Sequence, residues 1–290
     1  MLRAEDYPGL FRAADDAAVS GERSFLRTYA LRLWLALFAA ACAAITVRVG
    51  AARTDIAAIA TALAFVGILT IDVNLLQSLP GRTWHEGRVL AESVKTLTWR
   101  YAVCGAPFDG TLAPAEADAL LIERIRRLHH DLPDIAVRPT TSTTITDRMR
   151  ELRRLPHAER RQEYICHRIQ EQQRWYADKS AHHDRRGARL RTVALLLEIG
   201  GVSAALAKAI NVIGFDLAGV IAAGIAGIAA WTSARRDNRT AAVYAFTSNE
   251  LAIIADTLRD IDETRWATAV SGAEETISRE HTVWRAFHTD

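Results

Sequence analysis

Cysteine is scarce and scattered in this chain. Cys42, Cys104 and Cys166 each stand alone, with no CxxC spacing and no histidine pattern nearby. That arrangement excludes a zinc finger or ribbon and a disulfide framework. An excess of charge is lacking too: 36 Lys+Arg against 34 Asp+Glu leave a net charge of +2, so there is no concentrated basic surface for a phosphate backbone. No nucleic-acid partner is expected. Phosphate-cradling signatures are also missing, since neither GxxxxGKS/T nor a GxGxxG following a strand occurs. No nucleophile and base stand in a catalytic spacing, so no enzymatic activity, cofactor or metal is expected.

What is present is a mixture. Half the residues are hydrophobic and 24% are charged, yet the mean hydropathy is close to zero. Strongly apolar stretches must therefore be balanced by strongly charged ones. Four such stretches occur in two pairs: Tyr29 to Val49 and Ile56 to Leu76, separated by Gly50–Asp55, then Val193 to Ile213 and Leu217 to Ala234, joined by Gly214–Asp216. Each approximates the ~20 residues that a helix needs to cross hydrocarbon. Pro8, Pro80, Pro107, Pro114, Pro133, Pro139 and Pro156 all fall outside these runs, where a helix interior would resist them. The reading is an all-α integral membrane protein with four transmembrane helices in two hairpins.

The alternative, core helices of a soluble bundle, rests on the high alanine content of the runs. The third run decides most of the question, because a central acid such as Glu198 costs about 3 kcal/mol while each Leu or Ile returns roughly 0.5. Ten aliphatic residues from Val193 to Ile213 offset it. The mixed, charged opening Met1–Asp6 is not that of a cleavable signal, so the first run reads as an anchor. Arg12, Arg23 and Arg27 precede the first run, Lys179, Arg185, Arg186, Arg189 and Arg191 precede the third, and Arg235, Arg236 and Arg239 follow the fourth. The positive-inside rule then places both termini in the cytoplasm, although Arg48 and Arg53 weaken the contrast in the first outer loop.

Between and beyond the runs the sequence reads as long cytoplasmic amphipathic helices. Thr83 to Cys104 carries Val89, Leu90, Val94 and Leu97 at helical spacing, and Pro114 to His130 carries Leu120, Leu121, Ile125 and Leu128. A polar helix from Pro156–His157 runs directly into the third span, and helices over Arg235–Asp262 and up to Arg285 close the chain. The threonine- and proline-rich stretch 133–146 is the expected linker between residues 1–132 and 147–290. Both halves follow one plan of approach helix, membrane hairpin, return helix and closing Trp-Arg pair, so internal duplication is the simplest explanation.

Specific strings carry a resemblance. In the second half these are Tyr164-Ile-Cys-His-Arg168-Ile-Gln-Glu-Gln-Gln-Arg-Trp175-Tyr176, two spans, and a terminal Glu280-x-x-x-Trp284. In the first half they are Ala14-Asp15 ahead of the hairpin, and Ala91-Glu92-Ser-Val-Lys-Thr-Leu-Thr-Trp99-Arg100-Tyr101 with Gly105-x-Pro107-Phe108 behind it. The chain resembles the SLATT superfamily (DUF4231-type), as two modules in tandem. The resemblance implies a pore-forming membrane effector of a bacterial antiphage conflict system, in the inner membrane and as a homo-oligomer. A separate nucleotide-signal synthase or sensor would trigger it. A membrane-anchored helical scaffold that recruits partners without conducting ions is the competing expectation.

A pore requires polar groups within the spans. Glu198 is the deepest ionisable residue, and it either lines a path or makes an intramolecular hydrogen bond. Ser203 lies nearer the middle, and Lys208 lies near the outer end, where snorkelling to the headgroups is favoured. Asp72 and Asn74 sit near the cytoplasmic end of the second span, where an acid is more often interfacial. Gly219, Ala223 and Gly227 recur every four residues and read as a helix-packing seam. Trp99, Trp175, Tyr176 and Trp284 are expected in interhelical cores rather than on a signal-receiving surface.

Overall fold

The computed structural model describes residues 2–50, 54–78, 80–131, 137–235 and 237–286. Over 76–78, 80–83, 237–239 and 279–286 the helical course alone is described. After a 3-10 turn at Ala4–Asp6 come α1 (Gly9–Ala43), a two-stranded ladder of β1 (Arg48–Val49) and β2 (Thr54–Asp55), α2 (Ile56–Ser78), α3 (Pro80–Ala102) and α4 (Pro114–His130). Then follow α5 (Asp147–Arg154), α6 (His157–Tyr164), a π-helical turn (Ile165–Gln170), α7 (Glu171–Ala209), α8 (Leu217–Arg235), α9 (Asp237–Arg259) and α10 (Glu263–Ala286). The fold is all-α apart from that ladder.

These helices divide into two compact units, and several helices contribute to both. The head comprises residues 1–22, 81–180 and 242–290, and the second unit comprises residues 23–80 and 181–241. In the head, α3 turns Leu90, Ala91, Val94, Trp99 and Tyr101 inward at helical spacing. They join Leu121 of α4, Met149 and Leu152 of α5, Tyr164 and Ile169 of the α6 segment, and Leu251, Trp266 and Ile277 of α9 and α10 in one core. Residues from both halves of the chain therefore share a single hydrophobic interior.

Close helix approach sets the geometry there. A Cβ on Gly87 would meet backbone atoms of α1, at 3.0 Å from the Ala18 nitrogen and 3.1 Å from the Ala14 oxygen. Because backbone cannot yield as a flexible side chain does, Gly87→Val is expected to force α1 and α3 apart. A loss of about 1–3 kcal/mol of head stability should appear in a denaturant titration followed by tryptophan fluorescence.

The second unit inverts the usual pattern of burial. Leu31, Trp34, Phe38, Leu63, Phe65, Leu69, Leu196, Val202, Leu206 and Ile210 are all more than half exposed. The four apolar windows, in the helical stretches Gly9–Ala43, Ile56–Leu75, His157–Ala209 and Leu217–Arg259, are only 6, 11, 6 and 0% buried within the protein. A soluble bundle would turn those side chains inward, so their outward display argues for lipid contact.

The first span differs from its sequence reading at its outer end. The helix stops at Ala43 rather than reaching Val49, and Arg48 and Val49 pair with Asp55 and Thr54. β-Branched Ile45, Thr46, Val47 and Val49 favour extended backbone. Asp55 then caps α2, its Oδ1 accepting hydrogen bonds from the backbone of Val47, Ala57 and Ala58. The structure adds α5, a separate helix ahead of the one that opens at Pro156–His157. Thr146 accepts from the Met149 amide at its N-terminus, and Met149 and Leu152 anchor it in the core. Residues 133–136 of the expected linker lie outside the described residues, while α4 spans Pro114–His130 as read from the sequence.

Candidate functional site

Polar chemistry in the head concentrates where the π-helical turn faces α10. A π turn holds an extra residue and so re-aims the side chains it carries. Here it directs Arg168, 2% exposed, at Glu274, which is fully buried. Nε and Nη2 of Arg168 stand 2.9 and 2.7 Å from the two carboxylate oxygens, in a bidentate fork. The Tyr164 hydroxyl donates to Oε1 at 3.0 Å and the Thr96 hydroxyl donates to Oε2 at 3.0 Å. Ser278 extends the network, 3.2 Å from Thr96. Burial alone would lower the pKa of Arg168, but the Glu274 charge and hydrogen bonds outweigh it and raise it. Four donors on one carboxylate hold α3, the π turn and α10 in one register.

Aromatic rings enclose this network. Trp99 packs 5.9 Å from Tyr164, which meets Trp266 edge-on at 5.8 Å. Trp99 Nε1 donates to the Tyr7 hydroxyl at 2.8 Å, and Trp266 Nε1 donates to the Val103 carbonyl at 2.7 Å. Burial pushes the Tyr7 hydroxyl up to about 12. Arg100 reaches the Ser271 carbonyl, and Glu92 stands 3.6 Å from Arg88 one turn earlier. Trp175 and Tyr176 pack on Tyr244, with Arg88 and Lys179 over the Trp175 ring. The sequence strings Glu92–Tyr101 and Tyr164–Tyr176 thus build the head interior. Glu280 and Trp284 fall on α10 where only the helical course is described.

His157 gives the head a pH dependence. Its ring lies edge-on to Trp266 at 5.2 Å, and neither nitrogen has a hydrogen-bond partner among the described residues. Burial depresses its pKa below the usual 6.5. The unfolded chain then binds the proton first, so this contribution is complete above pH 6.5 and is lost as the pH falls through the lower folded value. Melting of the head at pH 7.5 and at pH 5 should differ more for the wild-type chain than for His157→Phe.

In the second unit the residues singled out by sequence separate. Glu198 is exposed on the outside of the packed helices, 11 residues before the end of α7 and so about 16 Å along its axis. Ser203 is also exposed and returns its hydroxyl to the Ile199 carbonyl. Lys208 pairs with Asp216 at 3.0 Å, in the loop before α8. Asp72 lies 2.7 Å from Arg32 of α1, while Asn74 is exposed. Gly219 lies beneath the Asp216 carboxylate, Gly224 faces Leu197 at 3.9 Å, and Ala223 and Gly227 border an open crevice.

Two acidic or basic partners were not legible in advance. Arg32 sits inside an apolar run, and its acid is on the next span. Glu274 has an identical neighbour, Glu275, and the buried face of α10, with Val270, Ala273 and Ile277, selects which one meets Arg168. Two family models match the chain, one after the other. The model of the SMODS and SLOG-associating 2TM effector domain 3 matches residues 8–161, and that of the SMODS and SLOG-associating 2TM effector domain 1 matches residues 164–284. Searches of the curated proteins and of the solved structures found no match. Two hairpins of lipid-facing helices, a head built by both sets of strings and two matched domains covering most of the chain converge: this is a membrane protein of the SLATT superfamily, with two SLATT domains in tandem.

Proposed function

We propose that the chain is a pore-forming effector of a nucleotide-triggered bacterial conflict system, acting in antiphage defence. It works as a homo-oligomer in the inner membrane, with both termini cytoplasmic and a separate synthase or sensor supplying the trigger. Residues 1–132 and 147–290 act as two modules joined through 133–146. SLATT domains are membrane effectors associated with such systems, which supports the reading.

The observation that carries it is Glu198, exposed near the middle of a span whose neighbours Leu195, Leu196, Ile199 and Val202 face outward as well. A carboxylate left against hydrocarbon costs about 2.5–3.5 kcal/mol by insertion scales. Contact with other copies relieves that cost by placing the acid along a hydrated path; Ser203, five residues on and so about 140° round the helix, is a separate pore-lining candidate. Lys208, Asp72 and Asn74 are secondary pore-lining candidates, and of the expected packing seam Gly219, Ala223 and Gly227, the last two border the open crevice.

Membrane potential in bacteria expressing the chain at rising levels tests this reading. A voltage-sensitive dye should report depolarisation that depends on expression and is altered by Glu198→Ala. A scaffold would leave the potential unchanged and tolerate the substitution.

A further inference from the structure

The second unit contains a crevice of about 350 Å³ between α1, α7 and α8. Trp34 and Leu37 form one wall, Leu197 another, and Gly224, Gly227 and Trp231 the floor. From Ala223 to Trp231 it follows α8 for about 12 Å. Its volume falls in the range of small-molecule sites, roughly 300–1,000 Å³, and its lining is apolar apart from indole rings.

One end differs in character. The guanidinium groups of Arg186 and Arg235 lie 5.7 and 5.6 Å from the centre of the Trp231 ring. Tyr29 packs 6.3 Å from the same ring and donates its hydroxyl to the Ala230 carbonyl at 3.3 Å. An apolar slot along the spans, ending in an indole, a phenol and two arginines, matches an amphiphile with an acyl chain and an anionic head. Basic pockets between transmembrane helices bind anionic headgroups on this principle, and aromatic rings with a polar tip suit the level of the headgroups.

We propose that this crevice binds an anionic phospholipid. One acyl chain lies over Gly224 and Gly227, and the phosphate is held by Arg186 and Arg235. Gly227 matters because a Cβ there would meet nothing within 4 Å: the space beside it is open to a ligand and not filled by the protein. Substitution at that position therefore fills the slot without displacing a neighbouring helix.

Native mass spectrometry of the full chain released from nanodiscs of equal phosphatidylcholine and phosphatidylglycerol tests the assignment. A basic side chain at the surface is worth roughly fivefold in affinity, so two should favour phosphatidylglycerol by about twenty-fivefold. Arg186→Gln with Arg235→Gln should bring the two lipids close to parity, whereas Arg186→Lys with Arg235→Lys should keep most of the preference. Gly227→Leu should reduce retention of both lipids. Equal retention by the wild-type chain, or a preference that survives the glutamine pair, overturns the proposal. So does release of paired copies that separate on Gly227→Leu, since a second chain would then occupy the crevice. A helical circular dichroism spectrum for each variant, together with the lysine pair, separates loss of the site from loss of the fold.

Discussion

Arg168→Ala is expected to destabilise the head by about 3–5 kcal/mol, because it strands a fully buried carboxylate without its counter-ion. That is a large part of the 5–15 kcal/mol typical of a folded domain. Among the described residues, Glu274 would keep its hydrogen bonds from Tyr164 and Thr96 alone. Removing one of those instead, as in Tyr164→Phe or Thr96→Val, should cost nearer 1 kcal/mol. Replacing both ions together, Arg168→Met with Glu274→Met, should recover most of the loss, since neither charge then remains unpaired. Trp99 and Trp266 are buried beside the network, so tryptophan fluorescence in a denaturant titration follows this unit. Equal midpoints for wild type and Arg168→Ala would contradict the structural account of the π turn.

Glu198 should show the opposite relation between stability and activity. Glu198→Ala removes a central acid, which favours insertion of the third span by about 3 kcal/mol per chain. On the pore reading the same change abolishes most of the depolarisation, because the path loses its deepest ionisable group. Better insertion with poorer conduction separates a functional acid from a structural one. Glu198→Gln keeps the size and hydrogen-bonding capacity but not the charge, so it tests whether the charge itself matters. Insertion is measured by carbonate extraction and membrane fractionation, and conduction by dye-reported potential in the same cells.

The spans were legible because hydrocarbon imposes a length and a composition that few soluble segments meet, and Pro80, which closes the second run in the sequence, is the first residue of α3. The amphipathic helices were legible for a related reason: Leu90 and Val94, or Leu121 and Ile125, fall on one face and are buried there. The outer end of the first hairpin was not, since Ile45 to Val49 is apolar enough for a span and only its β-branched content and the Asp55 cap turn it into a ladder. The π turn was hidden because Ile165–Gln170 suits an α-helix equally well. Only the partners across the head, Glu274 above all, select the wider turn that aims Arg168 inward. Arg168, Trp99 and Tyr176 could be singled out from the strings they belong to, but their common role as head interior depends on contacts between residues about a hundred positions apart.

Electrical recording from planar bilayers that contain the purified chain separates a pore from an anchor. A pore gives discrete current steps that grow more frequent with protein density and are reduced by Glu198→Ala. Bilayers that remain silent at densities where copies are shown by cross-linking to be in contact, both alone and after lysate of phage-infected cells is added as the source of the trigger, would contradict the pore reading and would leave the two hairpins as anchors for the head.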